Sequence, residues 1–383
     1  MSFDPKAVVY FESTGLGQGL SDELLAWKVR AALRSEDGPR WPMVESAVQA
    51  LSPNAQKDPA WVYWRARALM AKQPASTTTL PQALMALQSI AGHHGFYEQL
   101  ALEELGQKIT LPARPAPPTP AEMDAVKNNL GFQRAVHAIR LGIRQEGVKE
   151  WNYTAGLVDA QGKRGRMTDR EKQAAAQWAC EMEIWDRCIS STERTSQYDV
   201  NHRFPMPFKE EVLSRTRDIN LEAAYVYGLI RQESRFVINA RSSVGASGLM
   251  QVMPRTAKWT AKKIGLKNFQ PDQLNQRDTN IAIGTGYLKL VLDNFHGSMP
   301  MAAAAYNAGP SRPRKWRNGP MLEGAIWTEC IPFTETRDYV KKVLSNTTAY
   351  AALITGEPQS LKARLGKIGP REKSEPEDDN ELP

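Results

Sequence analysis

The sequence predicts an all-α protein in two parts, a superhelical, solenoid-like array of helical hairpins followed by a compact helical domain. Three observations lead there. Apolar residues recur at three- and four-residue spacing in segment after segment of the first two hundred residues. Trp, Ala and Leu dominate those segments, with short polar turns between them. Two proline-bearing breaks, at 112–120 and at Pro205 and Pro207, punctuate the pattern.

The elements follow in order. Residues 25–33 (LAWKVRAAL) and 61–69 (WVYWRARAL) each read as a helix with one apolar face, and 96–105, 132–141 and 174–189 continue the series. Such helices bury their faces by stacking as hairpins. Their spacing is too irregular for a tetratricopeptide repeat. Residues 112–120 (PARPAPPTP) form a stiff, extended connector. Residues 201–208 (NHRFPMPF) mark the main boundary, dividing a helical array at 1–200 from a second domain at 201–365. The remainder, 366–383, is Pro-, Lys- and Glu-rich with little to bury, so disorder is expected. In the second domain 221–230 is a core-facing helix, with Asn220 as its N-cap and Glu222 in its first turn. Residues 279–292, 300–306 and 335–352 supply further helices.

The 383 residues suffice for two or three domains, and no apolar run approaches the ~18 residues that argue for a membrane span. The net charge of +7 is uneven. From residue 370 onward Arg371 and Lys373 face Glu372, Glu375, Glu377, Asp378, Asp379 and Glu381, a net of −4, which leaves the body at +11. A basic body attracts polyanions. Nucleic acid is not favoured, because no dense Lys/Arg stripe, zinc-finger spacing or RNP-like motif is present. Cys180, Cys188 and Cys330 show no CxxC pair, so no metal site is expected. Cys180 and Cys188 flank an inter-helix turn and a bridge is conceivable in an oxidising compartment, but two small buried thiols are the favoured reading.

The chemistry concentrates at 228–256, GLIRQESRFVINARSSVGASGLMQVMPRT. A carboxylate, Glu233, closes an apolar helix and is followed by Ser234 and a turn of small residues (Ser242, Ser243, Gly245, Ala246, Ser247, Gly248). Desolvation against apolar neighbours raises a carboxyl pKa, so such a group can hold a proton near neutrality and donate it. Alone, a Glu at a helix end reads as a solvated surface residue. Ser242 reads equally well as a turn cap, Met250 as core filler, Tyr306 as packing under a turn and Asn307 as a helix cap. Glu335 and Arg337 read as a surface ion pair.

Four ordered blocks shift that balance. Glu233-Ser234, Ser242-x-x-Gly245-Ala246-x-Gly248-Leu249-Met250-Gln251, Ala304-Ala305-Tyr306-Asn307-Ala308-Gly309-Pro310 and the run IPFTETRDYV at 331–340 together resemble the Slt-type soluble lytic transglycosylase family, and 203–207 (RFPMP) resembles its lead-in segment. The resemblance implies a lysozyme-like α catalytic domain with Glu233 as the catalytic acid. Ser234, Ser242, Met250, Gln251, Tyr306, Asn307, Glu335 and Tyr339 would then be substrate-binding cleft residues, with Tyr306 set against the catalytic carboxyl.

Ordinary glycosidases use two carboxylates, and none stands near Glu233 in the sequence; Asp272 and Asp278 lie in a polar loop. What the resemblance implies is a substrate-assisted route. Glu233 protonates the glycosidic oxygen, then acts as base on the sugar C6 hydroxyl, closing a 1,6-anhydro ring. The substrate would be the MurNAc–GlcNAc strand of peptidoglycan, with no metal or organic cofactor and with other cell-wall enzymes as candidate partners. The location would be periplasmic. The N-terminal residues MSFDPKAVVYFEST lack a secretory signal, so a mature or truncated form is expected. Three rival readings remain: a goose-type lysozyme-like hydrolase on the same fold, a non-catalytic wall-binding scaffold and, third, nucleic-acid binding, which a salt-sensitive DNA shift would favour.

Overall fold

The computed structural model describes residues 4, 6–13, 15, 19–72, 79–156, 167–193, 195–371 and 382–383. Among them are 21 α-helices, two 3₁₀ turns and one two-stranded ribbon, so the molecule is all-α. Local chemistry explains the helix starts. Ser21 and Asp58 accept from the backbone of the helices Asp22–Leu33 and Pro59–Met70. Thr119 with Glu122, and Thr168 with Glu171, form reciprocal capping boxes for Pro120–Lys127 and Asp169–Glu181. The connector forms no helix or strand until Pro120, which occupies the first helical position where its missing N–H is harmless.

The buried apolar side chains fall into two clusters. The larger joins the helices of residues 22–109 to those after residue 189, and the smaller packs Met123, Phe132, Trp151, Trp178 and Cys188. The first hairpins therefore share their core with the second domain. Polar links reinforce the junction: buried Glu329 binds Arg30 and Lys341 and accepts from Tyr97, and Glu103 accepts from the backbone N–H groups of Leu361 and Lys362.

Several expectations are corrected. The inter-helix turn expected between Cys180 and Cys188 is present, joining Asp169–Glu181 to Trp185–Thr192 at left-handed Glu183 (φ 58°). That turn brings the Cα atoms of Cys180 and Cys188 to 5.2 Å, and the two are disulfide-bonded rather than free thiols. Asn220 is not the cap of the next helix; it adopts φ 50°, and Glu222 occupies the cap position without a side-chain bond. The tail does not lose order at 366, because Lys367–Ile368 pairs antiparallel with Leu322–Glu323. Residues 372–381 lie outside the described residues.

Two helices position the site. Ala223–Glu233 packs against Thr334–Thr355, and Gly228 permits their close approach: a Cβ there would stand 2.5 Å from Thr347 Oγ1 and 3.0 Å from the Val343 carbonyl. Tyr227 and Tyr350 stack across this contact at 5.2 Å, and their hydroxyls donate to the carbonyls of Pro207 and Pro205. The proline segment is thereby fastened to both helices. Five residues past Gly228, about 7.5 Å along the axis, the first helix ends at Glu233. An antiparallel partner runs back over the same distance, to Tyr339.

Candidate active site

Glu233 is the last residue of its helix because the chain leaves α geometry at once. Arg235 and Phe236 are both left-handed (φ 50° and 66°), a conformation bulky residues rarely adopt. Fixed contacts hold it. The Phe236 N–H donates to Ser234 Oγ at 3.1 Å, and the Phe236 ring is buried. Arg235 binds Ser190 Oγ at 2.7 Å and Glu193 at 3.0 Å. Glu193 also binds Arg231 at 3.0 Å, so one carboxylate from the end of the helical array grips both arginines that flank Glu233. Sequence reading missed Glu193 and the arginines; an ion pair across forty residues leaves no local signal.

The Glu233 side chain retains partial exposure, yet burial of its carboxyl is the main influence on it and raises its pKa to about 7. Tyr339 opposes this by donating its hydroxyl to Oε1 at 2.6 Å, and the negative charge of Glu335 adds to the rise. Tyr225 and Tyr306 stand close enough to couple electrostatically to the pair, and burial pushes both phenols up. All three tyrosines stay neutral across the range in which Glu233 titrates.

Tyr339 is the tyrosine that hydrogen-bonds the carboxyl, while Tyr306, which the resemblance sets against that carboxyl, stands near enough to couple to its charge. The Tyr306 hydroxyl donates instead to the Met250 carbonyl at 2.8 Å, tying its helix to the small-residue turn. Met250 is fully buried, packed against Gly284, and so belongs to the core rather than the cleft lining. Gln251 is left-handed (φ 45°), and its amide NH₂ donates to the carbonyls of Ala240 and Gly248 at 2.9 and 2.7 Å, leaving its side-chain oxygen for a ligand. Ser242 does cap the turn, accepting from the Ala246 N–H at 2.9 Å, while its own hydroxyl proton has no protein acceptor among the described residues. Ser234 accepts from Phe236 and supports the backbone. Asn307 Oδ1 accepts from Thr336 at 2.7 Å, which fixes the amide with its NH₂ available. Glu335 is exposed and makes no pair with Arg337, whose guanidinium is buried against the Ile331 carbonyl and Thr334.

The turn itself is held by a residue not anticipated. Asn280, fully buried in the helix Arg277–Asn294, accepts from the Met250 N–H at 2.8 Å and donates to the carbonyls of Ser247 and Leu274 at 3.0 and 2.9 Å. Gly248 (φ 80°) lies directly over it; a Cβ there would fall 2.0 Å from the Asn280 amide nitrogen. Short antiparallel bridges at Arg241–Ser247 and Ser247–Val252 complete the turn. An amide at a core-facing helical position was the available sequence signal.

Among the described residues no group of His, Cys, Asp and Glu is arranged to hold a metal ion, and no helix is long and apolar enough to cross a membrane. The arrangement offers one protonatable carboxyl near neutrality, neutral phenols around it, and a braced turn, tied to Tyr306, that carries unspent polar groups.

Comparison with known proteins fits this geometry. Residues 212–324 match the Transglycosylase SLT domain, and residues 330–359, which include Tyr339, match the soluble lytic transglycosylase helical domain. The chain is 30% identical over 367 residues to the soluble lytic murein transglycosylase of Salmonella typhimurium, covering 90% of this chain and 54% of that protein. For the Escherichia coli K12 protein the identity is 28%, with 91% and 54% covered. The chain therefore spans about half the length of these curated relatives. Its fold is similar to that of the lytic transglycosylase Slt of Pseudomonas aeruginosa, with a TM-score of 0.80 and 31% identity over 96% of this chain and 57% of that one. The 70 kDa soluble lytic transglycosylase of Escherichia coli gives a TM-score of 0.74 and 25% identity over 95% and 56%. By sequence over nine-tenths of its length and by fold, the chain is similar to the Slt-type soluble lytic transglycosylases, and residues 212–324 match their SLT domain.

Proposed function

We propose that the chain cleaves the MurNAc–GlcNAc β-1,4 bond of peptidoglycan as a lytic transglycosylase, leaving 1,6-anhydro-MurNAc ends. The observation that carries this reading is Glu233: a carboxyl with its pKa raised to about 7 and a single hydrogen bond from a neutral tyrosine. Near neutrality a large fraction is protonated and can pass its proton to the glycosidic oxygen. The resulting carboxylate is again a base of moderate strength, suited to take the C6 hydroxyl proton as that oxygen attacks C1. One group then serves both steps, and the substrate's own N-acetyl oxygen shields the cation between them. Tyr339 holds the carboxyl through both protonation states, since its hydroxyl donates to the oxygen that keeps its lone pair. Gln251, Ser242 and Asn307 offer an acceptor, a donor and an amide to the sugar hydroxyl and acetamide groups.

The relatives' names, soluble lytic murein transglycosylase, support murein as the substrate, and a periplasmic setting is part of the proposal. Division into a helical array at 1–200 and a catalytic domain at 201–365 remains part of the proposal, with the array as a surface for long strands or other cell-wall enzymes. Mass spectrometry of products released from purified sacculi tests it. Anhydro ends, one water lighter than reducing ends, are expected. Reducing ends would assign the goose-type hydrolase, and no release would assign the scaffold. Glu233→Gln is expected to abolish release while keeping retention on sacculi.

A further inference from the structure

The helix Pro254–Lys263 leaves directly from the small-residue turn, two residues after Val252 bridges Ser247. From Pro254 to Pro271 the chain has no acidic residue and five cations: Arg255, Lys258, Lys262, Lys263 and Lys267. All five are exposed. Arg255, Lys258 and Lys262 fall at i, i+3 and i+7, one face of the helix, while Ala257, Thr260 and Ala261 bury the other. The buried face fixes the helix's rotation, so the cations cannot turn away from solvent. Left-handed Gly265 and Asn268 fold the following loop back, and Lys267 comes to line the same groove as Lys258 and Lys262. That groove, about 540 Å³, has Leu266 and Phe269 as apolar walls.

Like charges at these spacings destabilise a helix by a few tenths of a kcal/mol per pair. Some exposed cations elsewhere are neutralised, as in Arg134–Glu150, Lys127–Glu181 and Lys72–Glu45. Among the described residues Arg255, Lys258, Lys262 and Lys267 have no ion-pair partner. The sequence concealed this because the cations are interleaved with core residues; only the fold gathers them.

We propose that this face is an anion-binding track for the carboxylates of acidic peptide stems carried by the glycan strand in the cleft. The inference rests on the proposed substrate. Three features favour such peptides. The track begins at the catalytic turn and runs about 15 Å along the helix, so it adjoins the strand rather than standing on a remote surface. Four of the five cations are lysines, compact charges on flexible stems that follow irregularly placed carboxylates, where bidentate phosphate recognition would select arginine. The groove also presents one half-buried phenylalanine and no row of exposed rings, so it lacks the stacking platform of a single-stranded nucleic acid site.

The triple variant K258Q/K262Q/K267Q removes charge without touching the core or the site. Retention is measured on peptide-bearing sacculus fragments and on glycan strands stripped of peptides by an amidase, each in a Glu233→Gln background so that turnover plays no part. The triple variant is expected to bind peptide-bearing strands on the order of five- to tenfold more weakly, the yield of three exposed ion pairs, and stripped strands equally well. Added salt should erase the difference. Unchanged retention on peptide-bearing strands, or an equal loss on both substrates, overturns the track. So does absence of binding by the parent, or loss of duplex DNA binding with retention on fragments intact. Turnover by the chain with Glu233 restored is scored separately: its absence sinks the proposed function, not the track.

Discussion

Tyr339 donates its hydroxyl to Glu233 Oε1 at 2.6 Å, joining two antiparallel helices across 106 residues of sequence. The bond favours the carboxylate, and burial disfavours it by more, leaving the pKa near 7. Tyr339→Phe removes the favouring partner. The Glu233 pKa should rise, and the alkaline limb of the rate profile should move to higher pH. Loss of a hydrogen bond to a charged group predicts a fall in kcat of roughly ten- to a hundredfold at pH 6. A limb that stays in place or moves down would refute the assignment.

Glu335→Gln predicts the opposite sign. The Glu335 charge contributes to the raised Glu233 pKa, so neutralising it should move the alkaline limb to lower pH. Because Glu335 is exposed, the effect should fade in high salt. Profiles recorded at low and high ionic strength check both statements.

The site was readable in the sequence where chemistry and local pattern coincide. Glu233 at the end of an apolar helix, the glycines at 245 and 248, and the long helix bearing Tyr339 all follow from spacing that neighbours in the chain impose. What escaped depends on contacts between distant segments. Which tyrosine meets the carboxyl is decided by the antiparallel crossing at Gly228, and a motif gives residue types without that geometry. The resemblance places Met250 in the cleft, but the turn points it inward against Gly284, as its reading as core filler expects. The disulfide depended on a left-handed residue at Glu183 that no propensity selects.

Stability should report the raised carboxyl independently of activity. The folded pKa of Glu233 is about 7 against the usual 4.5, so the folded state binds more protons between those values. Stability therefore falls as pH rises from 4.5 to 7. Glu233→Gln removes that penalty. Its gain over the parent should be nil at pH 4 and reach up to ~3 kcal/mol at pH 8. Urea titrations at the two pH values would contradict the burial of Glu233 if the difference were constant.

The turn can be broken without touching the carboxyl. Gly248→Ala combines a left-handed backbone with a Cβ 2.0 Å from the Asn280 amide, and Asn280→Ala strands the Met250 N–H and two carbonyls in the core. Each unsatisfied group costs about 1–3 kcal/mol. Both variants should lower the unfolding midpoint and disturb the Gln251 and Ser242 positions. In the fraction that stays folded, KM should rise more than the pKa of the alkaline limb changes. A stable Asn280→Ala chain with native KM would show that the turn does not depend on this side chain.

The junction between the first hairpins and the second domain should fail in acid. Burial alone would raise the Glu329 pKa, but Lys341 and Arg30 overcome it and hold the value at about 2. A depressed carboxyl contributes stability that is complete above the unfolded value near 4.5 and disappears as pH falls toward 2. The difference corresponds to roughly 3 kcal/mol at neutrality. Glu329→Gln leaves Arg30 and Lys341 buried with their counter-charge gone, and removing one partner from such a group typically costs 3–5 kcal/mol. The variant should be destabilised by about that amount at pH 7, and at pH 3 its deficit should narrow by roughly 2 kcal/mol as the parent loses its own contribution. Arg30 and Tyr97 reach Glu329 from the hairpins, so proteolysis should reveal detachment of residues before 110 ahead of global unfolding. A deficit independent of pH would mean that the charge of Glu329 is not what binds the hairpins to the second domain.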